Sequence, residues 1–315
     1  MSDTNTTNTN TNTNETTNIP KASETSEISK KTVNNLVIEG GGVKGIAFVG
    51  AIKALEEKNI LAGIHNFIGS SAGSIIAALL SVKMNHTEIH HAINNLDFTK
   101  IKDGHTFAIL YNFIRNFGIY LGDYFINYCA SVLEKHTGNG NITFQQIYDR
   151  YGNVLVITGT NLTKGIVEYF SYKNYPDMEV KMAMRISMSI PYFFEAVKFN
   201  NCIWVDGGVL DNYPFNYFSD TENTIGLKLV GSNEKKDDTI YHYRADIDNI
   251  KDFSICLIDA MTNQIDRLHI KSNYWKNTIT INTLGVNTTD FALSDKMKKN
   301  LVEEGYKSVN SHIFQ

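Results

Sequence analysis

Cysteine is scarce in this chain: its 315 residues hold three, Cys129, Cys202 and Cys256, far apart and without a CxxC pair. That spacing argues against a disulfide scaffold and against a zinc site, and fits a reducing compartment. Long apolar runs are missing as well, and no stretch approaches the roughly 20 uninterrupted apolar residues of a membrane-spanning helix. The first residues lack the charged-then-apolar layout of a secretory signal. There is no long Lys/Arg block, and a formal net charge of −4 supplies no positive field for nucleic acid. What these absences leave is a globular chain, 42% hydrophobic and 20% charged, long enough to bury a substantial core. Cytoplasmic residence without a nucleic-acid partner is the expectation.

Apolar residues are also nearly absent from the first thirty positions, which carry the near-repeat Thr9-Asn10-Thr11-Asn12-Thr13-Asn14. Such a segment cannot bury enough surface to offset the entropy of ordering, so residues 1–31 are expected to form a disordered tail. Nothing like a linker follows, and residues 32–315 are expected to form a single domain.

What the chain does have is glycine placed between strands and helices. The apolar run from Ile64 to Ile68 enters Gly69-x-Ser71-x-Gly73, and small and aliphatic residues follow to Leu80. This reads as strand, sharp turn and helix. Ser71 would sit in a strained conformation with its hydroxyl above the helix N-terminus. The bland alternative is a Gly–Ser loop capping an ordinary helix.

Upstream, a buried strand predicted over 32–39 runs into Gly40-Gly41-Gly42-Val43-Lys44-Gly45, and a helix is predicted from Ile46 to Lys58. A Gly-rich turn there points several backbone N–H groups into one concavity, and the helix dipole adds positive charge, which suits an anion. Gly40, Gly42 and Gly45 also satisfy the dinucleotide fingerprint G-x-G-x-x-G. That reading needs an acidic residue at the end of the second strand. The second strand ends instead in Gly69-Ser70-Ser71, while Glu56 and Glu57 belong to the preceding helix. No nucleotide partner is expected, and an oxyanion formed by attack of Ser71 is the better candidate.

Downstream, His86 and His90 could share a helix face, but no H-E-x-x-H pattern accompanies them and they read as solvated. Aromatics crowd residues 106–133, from Phe107 and Tyr111 through Phe117 to Tyr128. Long helical packing is the default for them, with a lipid-facing cap over the site as the alternative. Strands are predicted at 154–160, 165–170, 202–205, 224–230 and 278–281. Helices are predicted from Met178 up to Pro191, at 247–269 and at 295–310.

A serine hydroxyl needs an adjacent base to act as a nucleophile at neutral pH. His105, His136, His242 and His269 lie in polar or helical contexts, and none follows a buried strand directly. Asp206 does: the strand Cys202-Ile203-Trp204-Val205 stops at Asp206-Gly207-Gly208. A carboxylate there could accept the Ser71 proton without a histidine. Taken alone, Asp-Gly-Gly also marks an ordinary turn.

The nest at 40–45, Gly69-Ser70-Ser71-Ala72-Gly73 and Asp206-Gly207-Gly208 together resemble the three signatures of the patatin-like phospholipases. Arg185-Ile186-Ser187-Met188-Ser189-Ile190-Pro191 adds similarity ahead of Asp206. The resemblance covers about residues 33–215 strongly and the C-terminal hundred loosely. It implies an α/β fold, a three-layer sandwich with a mostly parallel central sheet and helices on both faces. It further implies a Ser71–Asp206 dyad, an oxyanion hole from the N–H groups around Gly41, Gly42 and Val43, and no metal or cofactor requirement. Gly40, Lys44, Gly45, Gly69, Gly73, Gly207 and Gly208 are then the supporting motif positions. Lys44 stands where plant relatives commonly have arginine, and Glu39 where they commonly have aspartate. The implied activity is cleavage of acyl esters in phospholipids or related lipids, with transient contact to a membrane surface. An acyltransferase or general esterase using the same dyad, or a non-enzymatic lipid- or partner-binding module, are the alternatives.

Overall fold

Strand β1 (Asn35–Ile38) is buried along its whole length, and it lies between two parallel neighbours. A continuous apolar strand is what a sheet covered on both faces demands. The computed structural model describes residues 33–97, 99–103, 109–231 and 273–312, together with isolated positions between 247 and 261. The tail at 1–31, the helix expected at 247–269, and His105, Phe107, His242 and His269 lie outside the described residues, apart from those isolated positions.

Around β1 the sheet takes the order β10-β9-β1-β2-β4-β8-β7, with β5 paired to β4. The strands are β2 (Asn66–Gly69), β4 (Val154–Asn161), β5 (Ile166–Phe170), β7 (Val197–Phe199), β8 (Cys202–Asp206), β9 (Thr224–Val230) and β10 (Thr278–Asn282). From β10 to β4 every pairing is parallel. Beyond β4 the pairings become antiparallel, because β5 and β8 both run against β4 and β7 runs against β8. The sheet is therefore mixed: β1 and β2 are parallel across a helical crossover, whereas β4–β5 and β7–β8 are antiparallel across short turns.

Alternation along the strands sorts the core. Leu36, Ile38 and Phe67 join a large cluster built with the helices. Val37, Ile68 and Val156 face the other way and pack against Phe215. Helix α1 (Ala47–Glu57) is apolar over most of its surface because eight of its eleven residues are buried. Helix α2 (Ala72–Ser81) is buried at every position except Ile75. Helices α3 (His86–Asn95) and α6 (Phe144–Tyr151) open with capping boxes, Asn85 with Glu88 and Thr143 with Gln146. Helix α7 (Val180–Ser187) ends three residues before Pro191 is reached, and α8 (Asp295–Ser311) packs on α1.

The aromatic region differs from one long helical run. It consists of α4 (Ile109–Asn116), β3 (Gly118–Tyr120) and α5 (Asp123–Thr137). Phe117 adopts φ +64°, which breaks the helix, and a Cβ on Gly118 would meet the Phe194 backbone at 2.1 Å. That close approach lets β3 pair in parallel with β6 (Tyr192–Phe194), a small second sheet that periodicity did not suggest.

Candidate active site

The register of β4 brings the two key positions together. Parallel β2 runs along β4 until Gly69 pairs with Ile157, while antiparallel β8 runs the opposite way until Asp206 pairs with Gly159. Their C-terminal ends therefore converge two residues apart on one strand, roughly 7 Å. Ser71 lies one turn beyond Gly69, and its Oγ donates to Asp206 Oδ2 at 2.7 Å.

Ser71 holds φ 46° and ψ −123°, a conformation costly for any residue with a Cβ. Two glycines make room for it. A Cβ on Gly69 would meet Gly73 O at 2.3 Å, and one on Gly73 would meet Ile38 O at 2.3 Å. The strained turn is held from the side: Ser71 N donates to Ser187 Oγ at 2.9 Å, and Met188 Sδ lies 3.7 Å from Ser71 Oγ.

Asp206 is equally fixed. Its Oδ1 accepts from Gly208 N at 2.7 Å, and its own N–H donates to Ser189 O at 2.9 Å. Burial penalises the carboxylate more than these bonds favour it, so its pKa is pushed up to about 7. Ser189, whose carbonyl holds Asp206, is positioned by Arg185 of α7, itself buried. Its guanidinium donates to Ser189 Oγ, to Leu121 O and to Glu195 O.

The Gly-rich turn abuts the elbow. A Cβ on Gly40 would stand 2.9 Å from Ser71 Cβ, and one on Gly45 would stand 2.9 Å from Ala72 Cβ. Gly42 takes φ +55°, and the helix begins there as a 3₁₀ turn (Gly42–Ile46) before α1. The N–H groups of Gly41 and Gly42 have no acceptor among the described residues. Val43 differs from the other nest positions, because its N–H donates to Thr288 O at 3.1 Å. The nest thus offers two open donors, not three. Lys44 N is also occupied, donating to Gly41 O at 3.2 Å.

Three residues of distant segments, Asn212, Thr288 and Lys228, anchor the nest and were invisible to motif reading. Asn212 exchanges bonds with Gly40, its backbone O accepting from Gly40 N at 3.0 Å and its Nδ2 donating to Gly40 O at 3.3 Å. Thr288 holds Val43. Glu39 is buried, forms an ion pair with Lys228 of β9 and accepts from Leu229 N at 2.6 Å. The histidines considered earlier stand apart from Ser71: His86 pairs with Glu56, and His136 with Glu88. Among the described residues no group of three His, Cys, Asp or Glu side chains could hold a metal ion.

The family model described as patatin-like phospholipase matches residues 36–219. The chain belongs to that family, whose members are lipid hydrolases. It is 32% identical over 297 residues to an uncharacterised protein of Acanthamoeba polyphaga mimivirus, covering 93% of this chain and 98% of that one. It is 29% identical over 221 residues to a probable lipid hydrolase of Invertebrate iridescent virus 6, covering 68% of this chain and 70% of that one. The fold matches the crystal structure of VipD from Legionella pneumophila with a TM-score of 0.60 at 21% identity, over 89% of this chain and 67% of that one. Among the described residues no helix is long and apolar enough to cross a membrane.

Proposed function

We propose that this chain hydrolyses acyl esters of phospholipids or related lipids, with Ser71 as nucleophile and Asp206 as base. The observation that carries the reading is the buried 2.7 Å hydrogen bond from Ser71 Oγ to Asp206 Oδ2, at a serine held in a strained backbone conformation. In the first half-reaction Ser71 Oγ bonds to the ester carbonyl carbon as its proton passes to Asp206. The carbonyl oxygen becomes an oxyanion that the N–H groups of Gly41 and Gly42 can receive. Collapse breaks the bond to the alcohol oxygen, which leaves with the proton from Asp206. In the second half-reaction a water gives its proton to Asp206, attacks the acyl-serine and releases a carboxylic acid; the proton returns to Ser71.

No histidine is required, because burial raises Asp206 to a pKa matched to proton transfer near neutrality. Substrate of this class lies in membranes, which implies contact with a lipid surface during turnover. The test is fatty-acid release from phospholipid vesicles in the presence of a chelator, for the native chain, Ser71→Ala and Asp206→Asn. Release by the native chain should vanish in Ser71→Ala and fall by about 10²–10⁴-fold in Asp206→Asn. Release that survives Ser71→Ala would exclude the mechanism. Acyl groups recovered on another acceptor would make the chain a transferase on the same pair.

A further inference from the structure

The β4–β5 hairpin projects past the level of the dyad. Asp206 pairs with Gly159, and β4 continues to Asn161 before the turn Leu162-Thr163-Lys164-Gly165. Leu162 therefore lies about 10 Å farther along the strand than the pairing level of Asp206. Because β2 is parallel to β4, this turn stands at the end of the sheet where Ser71 lies. Leu162 and Ile166, which flank the turn, are 52% and 46% exposed. Strands β8 and β7 reach the same height: Ile203 O accepts from Leu162 N at 2.9 Å, and Lys198 pairs with Ile203.

A second exposed group follows from Met188, whose Sδ lies 3.7 Å from Ser71 Oγ. Four residues on, Tyr192 is exposed, and its ring centroid lies 6.1 Å from that of Phe113 on α4. Gly118 pairs with Tyr192, which brings the exposed Phe117 alongside, and Ile114 on α4 is 64% exposed. Scattered singly, such side chains need no explanation; here they are grouped on two segments that both lead from the dyad. Basic side chains are exposed beside them, Lys164 in the turn, Lys198 on β7 and Arg115 on α4, and Asp177, exposed beside Phe199, offsets one of the three. Other acids turn inward. Glu168, mostly buried, pairs with Lys164 and accepts from Asn161 and Tyr175, and Glu195 accepts from Asn116 at 3.1 Å. Apolar tips with lysine and arginine around them suit a bilayer, where hydrocarbon enters the acyl boundary and cations meet phosphate.

We infer that the β4–β5 turn and the α4–β6 group together dock this chain on a lipid surface containing anionic headgroups. The inference rests on the hydrolase reading above, and its test separates the two. The full chain carrying Ser71→Ala is sedimented with vesicles of phosphatidylcholine and phosphatidylglycerol, so binding is read without turnover. Leu162→Gln with Ile166→Thr should weaken binding at least tenfold, and so should Ile114→Gln with Phe117→Asn; Asn suits the positive φ at 117. With Ser71 intact, each pair should lower fatty-acid release from the vesicles at least tenfold while hydrolysis of soluble p-nitrophenyl butyrate stays within twofold. That soluble activity shows that the variants fold. Vesicle binding that is absent in the parent, or that stays within twofold in both pairs, would overturn the inference. A dimer seen by light scattering and dissolved by both pairs would overturn it too, making the face a contact between copies. Vesicle binding that both pairs abolish, in a chain that hydrolyses no ester, would uphold the docking face and sink the hydrolase reading.

Discussion

Asp206 carries the most consequential environment of any single residue in the structure. A carboxyl at the surface would be ionised well below neutrality; here burial lifts it to about 7, against the bonds from Ser71 and Gly208 N. Below that value the group is protonated and cannot take the Ser71 proton; above it the base is present. Ester turnover should therefore rise through about pH 7 and then level off, with kcat/KM falling about tenfold per unit on the acid side. A pH–rate profile flat from pH 5 to 8 would exclude Asp206 as the base. The placement of Asp206 at the end of an apolar strand was legible. Its pKa was not, since burial depends on the packing of segments far away in the chain. Val43 teaches the same lesson: the motif suggests a donor, and only Thr288, 245 residues on, decides that the N–H is already used.

At the scale of elements, α1 and α8 approach through glycines. A Cβ on Gly50 would lie 1.7 Å from Val302 O, and one on Gly305 would lie 1.9 Å from Ala47 O. The opposed backbones leave no room for even a methyl group, and backbone cannot yield as a side-chain tip can. Gly50→Ala or Gly305→Ala should each destabilise by about 1–3 kcal/mol, as overpacking in a close-packed core does. Thermal melting checks this, and an unchanged melting temperature in both variants would mean that the helices separate at no cost. The contact matters to the site because α1 begins in the nest, so its seating sets where Gly41 and Gly42 point. Most elements could be read from periodicity: β9 matches the span expected, and α8 lies within a residue of its own. The short strands β3 and β6 could not, because three residues carry too little pattern and their pairing is non-local.

At the scale of the whole molecule, the nest is tied to β9, the strand beside β1 in the sheet but remote from it in the chain. Glu39 at the end of β1 and Lys228 on β9 pair in the interior, so the last residue before the glycines is clamped to a strand some 190 residues later. Lys228→Met would remove this buried ammonium from Glu39 and should cost about 3–5 kcal/mol. Denaturant unfolding measures that loss, and a cost below about 1 kcal/mol would show that Glu39 is held by its other bonds alone.

The sequence by itself determined the local geometry. Glycine at 69 and 73 permits the turn at Ser71, glycine at 40–42 opens backbone N–H groups, and apolar runs of four to seven residues become buried strands. These outcomes depend on sterics and hydrophobicity within a few residues, which any segment carries with it. Only the tertiary structure decided that Ser71 and Asp206 meet. They are 135 residues apart, and their contact depends on β2 and β8 entering β4 from opposite directions and stopping two residues apart. Strand register is set by the packing of the whole sheet, so no local stretch encodes it. The same holds for the dry surroundings that raise the Asp206 pKa.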